Sequence, residues 1–414
     1  MRALVPAAVA HYAVRATSET PVRPSRRDQQ GRRGCTRLTK AKMSFEPGQV
    51  SPSPAPETGA AAASAGLIVR EEEPLNLEMR FSSLDGFITP ADRFYVRCHF
   101  SIPKVEAAAW RLRVEGEVSQ SLELSLAELE SMPARTVVAT LECAGNGRAH
   151  LESRHEGTQW ESGAIGNAEW QGVPLSEVLS RAGLNAGVAE VILEGADQGY
   201  PEKPVRPGDP IRFARSVPLD KALRDVLLAF RMNGQPLSRA HGFPVRAIVP
   251  GWFGMASVKW LRRVIASAEP FHGYFQTIEY AAWRTRPDGQ KTLVPLAEQA
   301  LKAAVARPVS GEVIPAGRDY LVHGAAWSGS EPVTRVELSS DGGANWQEAR
   351  LLGQPCEHAW LLWEFRWRTP AVPGPVTLIA RAQDAAGRVQ PEERDHDLGS
   401  YAVHHRLPVK VELR

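Results

Sequence analysis

From about residue 67 apolar positions recur in short alternating runs, at 94–100, 110–116, 136–141, 190–194, 226–231, 244–249 and 258–265. Alternation with aromatic and β-branched content predicts strands. Ser125 and Glu128 have the spacing of a capping box, which opens a short helix that Met132 and Pro133 end. Apolar positions at 173–182 predict a second helix, closed by Gly183. The stretch to about 290 thus reads as irregular α+β with many Gly and Pro turns. Beyond about residue 306 only strands are predicted, at 333–339, 361–368 and 376–382, with Asp341, Gly342 and Gly343 as a hairpin turn. This is the pattern of an antiparallel, immunoglobulin-like sandwich. No internal repeat joins the two halves.

The chain has 414 residues, long enough for two or three domains with real cores. Its 43% hydrophobic and 23% charged residues exclude a disordered or fibrous class. No apolar run approaches the roughly 18 residues of a membrane span. The net charge of +2 hides an asymmetry, because residues 1–42 carry +8 and the remainder −6. The basic excess therefore belongs to a tail, which argues against a nucleic-acid partner. Residues 1–66 read as a disordered basic tail and a Pro/Ala/Ser linker. Pro6 and His11 interrupt the only candidate signal core, and Arg26-Arg27 is followed by polar residues. The expectation is a cytoplasmic protein, with the periplasm as the alternative and Met43 as an alternative start.

The four cysteines, Cys35, Cys98, Cys143 and Cys356, are too few and too scattered for a disulfide scaffold. Their spacing provides no zinc ribbon, haem attachment or iron–sulfur ligand set. Nucleotide-binding glycine motifs and a serine nucleophile elbow are also missing. Cys143 is the most informative position. It follows a strand and precedes a turn of small residues that would let a ligand approach the backbone closely, with Arg148 as an anion-binding group. On spacing alone a small core hydrophobe remains the better reading of Cys143, and a Cys143–His thiol enzyme is the remaining non-redox candidate. Alternation places Arg97 and His99 on one strand face, either solvated or lining a site. His241, Arg246 and Lys259 suit a phosphate, although surface ion pairs are the commoner use of such residues.

The segment Leu-Glu-Cys-Ala-Gly-Asn-Gly-Arg at 141–148 closely resembles the molybdenum-ligating loop of the sulfite oxidase family of molybdopterin enzymes. Phe-Tyr-Val-Arg-Cys-His at 94–99 looks like the family's first pterin-binding strand. The segment from Trp160 to Trp170 is similar to its substrate-pocket segment. His-Gly-Phe-Pro-Val-Arg at 241–246 and Val-Lys-Trp at 258–260 follow at the family's spacing, and residues 326–329 and 338–343 resemble its dimerisation domain. The resemblance covers 74–414. It implies an α+β molybdopterin-binding catalytic domain at 67–290 and an immunoglobulin-like dimerisation domain at 291–414.

By resemblance, Cys143 would ligate molybdenum. Arg97, Cys98, His99, Ala144, Asp197, His241, Arg246, Ser257, Val258 and Lys259 would hold the pterin and its phosphate. Arg97, Arg148, Trp160 and Tyr280 would form the substrate site. The implied activity is oxidation of sulfite to sulfate by oxygen-atom transfer, with electrons passed to a separate cytochrome or to oxygen, and the implied assembly is a homodimer. No haem, iron–sulfur or nucleotide cofactor is expected. Four positions depart from the family. Gly147 replaces a second Arg, Cys98 replaces Asn, Glu156 lies near a vertebrate Lys, and 397–400 (Asp-Leu-Gly-Ser) replaces Leu-Arg-Gly. Fewer positive groups leave a nitrate-reducing or other oxygenated-substrate alternative within the same fold. A non-catalytic adhesion or assembly protein built on the sandwich is the alternative from a different class.

Overall fold

The computed structural model describes residues 58–201 and 208–414. The expected basic tail, up to residue 57, lies outside the described residues. Within the stretch read as a linker, Gly59–Ser64 is a short helix capped by the Thr58 hydroxyl, and Ala62 on it is buried. Among the described residues no helix is long and apolar enough to cross a membrane.

Two five-stranded sheets share the first core. One runs Leu122–Leu124, Leu112–Gly116, Leu261–Ser267, Glu190–Gly199, Ile211–Pro218. The other runs Gln235–Pro236, Leu227–Met232, Ile165–Pro174, Arg135–Glu142, with Arg246–Ile248 also paired to Leu227–Met232. The helix Leu175–Ala182 joins this core through Leu175, Val178, Leu179 and Ala182, a one-face spacing. It starts two residues later than the apolar pattern predicts, because Val173 and Pro174 pair with Leu228 and Leu227 as the end of a strand. The capping box is present, with Ser125 and Glu128 exchanging hydrogen bonds ahead of Leu126–Glu130.

Two predicted strands are cut short where the chain turns towards the site. Of 94–100, only Val96–Arg97 pairs, with Asn76–Glu78. The next amide, Cys98, donates to the Asn76 side chain at 2.9 Å, so the ladder stops there. The strand expected at 258–265 begins only at Leu261. Trp260 adopts φ +50° and its indole donates to the Arg239 carbonyl at 2.7 Å, which reorients the chain just after Lys259.

The C-terminal half is a two-sheet sandwich. Lys302–Arg307, Asp319–Trp327, Leu361–Arg368 and Arg350–Leu352 form one sheet. Val313–Ile314, Pro408–Leu413, Gly374–Asp384, Val333–Ser339 and Gln347–Glu348 form the other. Its core takes alternate residues from both, among them Val322, Trp363, Val336, Leu338 and Leu378. The predicted hairpin is present: Leu338 pairs with Gln347, and Gly342 and Gly343 adopt φ +74° and +103°.

The two halves meet at the strand that leads into Cys143. Thr140 receives the Trp360 amide on its hydroxyl at 2.8 Å and the Gln299 amide on its carbonyl at 3.0 Å. The Glu142 carboxylate accepts from Trp327 Nε1 at 2.8 Å and Asn146 Nδ2 at 3.0 Å, with Lys302 Nζ 3.5 Å away.

Candidate active site

Cys143 is the first residue beyond the strand Arg135–Glu142. Its amide donates to the Ala164 carbonyl at 2.8 Å, and its carbonyl receives the Asn146 amide at 2.9 Å, closing a tight turn. Asn146 braces the turn, because its side chain bridges Glu142 and the Ala164 amide. The Arg148 guanidinium then lies in a slot between two glycines: a Cβ on Gly145 or Gly157 would come within 2.8 or 2.7 Å of it. It donates to the Thr158 carbonyl at 2.9 Å and lies 5.1 Å from the centre of the Tyr401 ring.

Two cavities meet at this turn. The inner one is lined by Arg97, Cys98, His99, Cys143, Ala144, Asp197, His241, Arg246, Ser257, Val258, Lys259 and Tyr280. The outer cleft is lined by Arg148, Trp160, Glu156, Glu279 and Tyr401, and again by Arg97, His99, Cys143 and Tyr280. The structure thus brings all the sequence-predicted site residues to one of the two cavities, and four of them to both. Trp170 does not reach the cleft. It is buried beneath the Arg246 guanidinium, 5.0 Å from it.

The inner cavity is rich in charge and poor in counter-charge. Arg246 donates to the carbonyls of His241 at 3.1 Å and Ser257 at 2.9 Å, while its Nε has no partner. Lys259 Nζ rests 3.1 Å from Cys98 Sγ and 2.9 Å from the Ala240 carbonyl. Asp197 Oδ1 is buried without a partner. Burial pushes the Asp197 carboxyl up to about 7, against the pull of Lys259. It lowers Arg246 to about 10 and His241 to about 3, and holds the His99 ring well below its usual value. His99 Nε2 is 2.5 Å from the Tyr280 hydroxyl, and its ring stacks on Phe213. Burial also raises the Cys143 thiol, against the opposing pull of Arg97. Among the described residues no hydrogen bond joins Cys143 to a histidine, so the thiol-enzyme arrangement is not formed.

An unpartnered buried guanidinium N–H and an unpartnered buried carboxylate oxygen in one cavity call for a ligand carrying both an anion and N–H donors. A buried thiol at the cavity's edge is a donor for a soft metal. A molybdopterin has these features. The oxidoreductase molybdopterin binding domain model matches residues 99–275, and the Mo-co oxidoreductase dimerisation domain model matches 295–412. The sulfite oxidase of Gallus gallus is 36% identical over 376 residues, covering 84% of this chain and 80% of that protein. The chain belongs to the sulfite oxidase family.

The mitochondrial sulfite oxidase of Mus musculus is 37% identical over 346 residues, 79% of this chain and 61% of that protein. The chain thus spans a little under two thirds of that family member's length. The crystal structure of the sulfane dehydrogenase SoxCD from Paracoccus pantotrophus superposes with a TM-score of 0.73 at 28% identity, covering 88% of this chain and 92% of that one.

Within the family fold, one departure of this chain, at Gly147, has a physical cause. Gly147 has φ +94°, and a Cβ there would meet Val403 at 3.1 Å, so a long side chain is disfavoured by backbone and packing together. Sequence reasoning missed Asn76, buried under Arg97 and bonded to it at 3.2 Å. It also missed Tyr401 and Glu279. Asn76 and Tyr401 lie 21 and 253 residues from Arg97 and Arg148, and no local pattern joins such pairs.

Proposed function

We propose that this chain oxidises sulfite to sulfate, taking the oxygen from water and passing two electrons to a separate acceptor, a cytochrome or oxygen. The observation that carries the reading is the meeting of the two cavities at Cys143, Arg97, His99 and Tyr280. Bound molybdopterin supplies a two-electron redox centre able to transfer oxygen. In this reading Cys143 gives its thiolate to molybdenum. His241, Arg246 and Lys259 hold the phosphate, and Asp197 takes N–H donors of the pterin. Cys98, Ala144, Ser257 and Val258 complete the wall.

Arg97 and Arg148 draw the substrate dianion in from the cleft. Arg97 donates to Asn76 Oδ1 and Arg148 to the Thr158 carbonyl, both neutral acceptors, so both charges are available to it. Their fixed positions let them act without reorganisation, which is where electrostatic catalysis gains most. Tyr280 keeps its proton, because burial raises its pKa well above the ordinary value, and so serves as a hydrogen-bond donor to the anion. Trp160 closes the cleft wall. The match of 295–412 to a dimerisation domain supports a homodimer through an immunoglobulin-like second domain at 291–414.

The test is sulfite-dependent reduction of ferricyanide set beside nitrate reduction by reduced viologen, on molybdenum-loaded protein. Sulfite turnover without nitrate turnover is expected. Nitrate turnover alone would replace the reading with the reductase alternative.

A further inference from the structure

The second domain reaches the cleft through Ser400 and Tyr401, and Tyr401 carries the larger side chain. Its backbone is fixed beside the Cys143 turn. Ala402 takes φ +49°, an uncommon conformation for a residue with a Cβ, and its amide donates to the Ala144 carbonyl at 2.7 Å. The Tyr401 ring faces the Arg148 guanidinium at 5.1 Å, and its hydroxyl donates to Glu279 Oε1 at 2.7 Å. The Tyr274 hydroxyl donates to the other Glu279 oxygen at 3.3 Å. Tyr401 therefore touches both a cation and an anion that line the same cleft.

A carboxylate is the wrong charge for a site that collects oxoanions. Glu279 lines the same cleft as Arg148, and a carboxylate free to pair with that guanidinium would consume one of the two arginines. Among the described residues no such pair forms. Both carboxylate oxygens are instead taken by tyrosine hydroxyls, and a ring occupies the space against the guanidinium. Burial, with Tyr280 and Glu279 nearby, raises the Tyr401 hydroxyl well above its ordinary range, so it keeps its proton.

We propose that Tyr401 is a positioning residue that keeps the anion site open, by holding Glu279 away from Arg148. The inference rests on the sulfite reading of the cleft, and in it Tyr401 acts on substrate affinity through Glu279.

The test compares Tyr401→Phe, Glu279→Gln and the double variant as molybdenum-loaded protein. Steady-state sulfite kinetics are measured together with inhibition by inorganic sulfate. Tyr401→Phe keeps the ring but frees Glu279 Oε1, so KM for sulfite and the sulfate inhibition constant should both rise about five- to tenfold, the scale of one ordinary net hydrogen bond. The kcat should move less than twofold. Glu279→Gln removes the competing charge, so the double variant should return both constants to within about twofold of the parent. A Tyr401→Phe protein with unchanged KM, or a double variant as weak as the single one, would overturn the proposal. Should the parent protein fail to oxidise sulfite, the proposed function falls. Sulfate binding by calorimetry across the same variants would still decide the role of Tyr401, with the same rise and rescue expected.

Discussion

The two halves of this chain place their charged groups differently. In the sandwich, charged side chains lie mostly on the outer faces and find one another. Arg381 and Arg335 both pair with Glu337, Arg350 with Glu364, and Arg368 with Asp319. In the first half, Arg97, Arg148, Arg246, Lys259 and Asp197 converge on two cavities, with atoms left over that no protein group satisfies. Buried atoms without a partner occur in the sandwich too, Trp363 Nε1 among them, but in the first half Arg246 Nε and Asp197 Oδ1 line one cavity. A buried unpaired polar atom costs about 1–3 kcal/mol. A bound group with complementary donors and acceptors would offset that cost in the cavity.

The sharpest break of this contrast is Cys143→Ser. It should leave a folded protein that purifies with molybdenum reduced at least about tenfold, because a hydroxyl is a poor donor for a soft metal. Metal analysis checks it, and full molybdenum content would remove Cys143 from the metal site. Next is Arg97→Gln, which should cut kcat/KM for sulfite by about 100-fold or more with molybdenum near normal, since it removes one of two fixed charges. Unchanged kinetics would take Arg97 out of the substrate site.

A smaller effect is expected at the seam. Lys302 is buried with Glu142, and burial lowers its pKa below the usual value. Lys302→Met leaves Glu142 with its Trp327 and Asn146 donors but without a cation. We expect a loss of about 3 kcal/mol in stability, read as a lower Tm, with Glu142→Gln/Lys302→Met recovering part of it.

The smallest effect belongs to the sandwich hairpin. The Asn345 amide, followed by the Ser339 hydroxyl, lowers the Asp341 carboxyl to about 2. Its folded pKa is depressed, so its contribution is fully present above the unfolded value of about 3.9 and disappears as pH falls through about 2. Asp341→Asn should therefore lower Tm slightly at neutral pH and flatten its decline between pH 4 and 2. Identical pH profiles for the two proteins would contradict this.

The same contrast decides what was legible in the sequence. Strands whose residues pack on each other are visible in alternation: Val333–Ser339 and Leu361–Arg368 have the predicted bounds. Strands that deliver ligand-facing groups are not, because their residues leave the ladder. Only Val96–Arg97 of 94–100 pairs, and Leu261–Ser267 starts after the turn at Trp260. Cys143 and Arg148 stood out because a tight turn of small residues concentrates them within six positions. Asn76, Glu279 and Tyr401 carry no such signature. They enter the site through pairings with residues 21 to 253 positions away, and one of them arrives from the other domain. Trp170 shows the converse, since a tryptophan inside a family-like segment lies under Arg246 rather than in the cleft.

The central claim is that Cys143 and the arginines beside it form one site, loaded with molybdenum and used on sulfite. The most direct measurement counts molybdenum per chain and sulfite-dependent electron transfer to ferricyanide in the same preparation, made in cells that synthesise the cofactor. The account predicts about one molybdenum per chain, as one cysteine ligand implies, and turnover proportional to metal content. Protein that carries the metal yet does not oxidise sulfite, or oxidises it without metal, would contradict it.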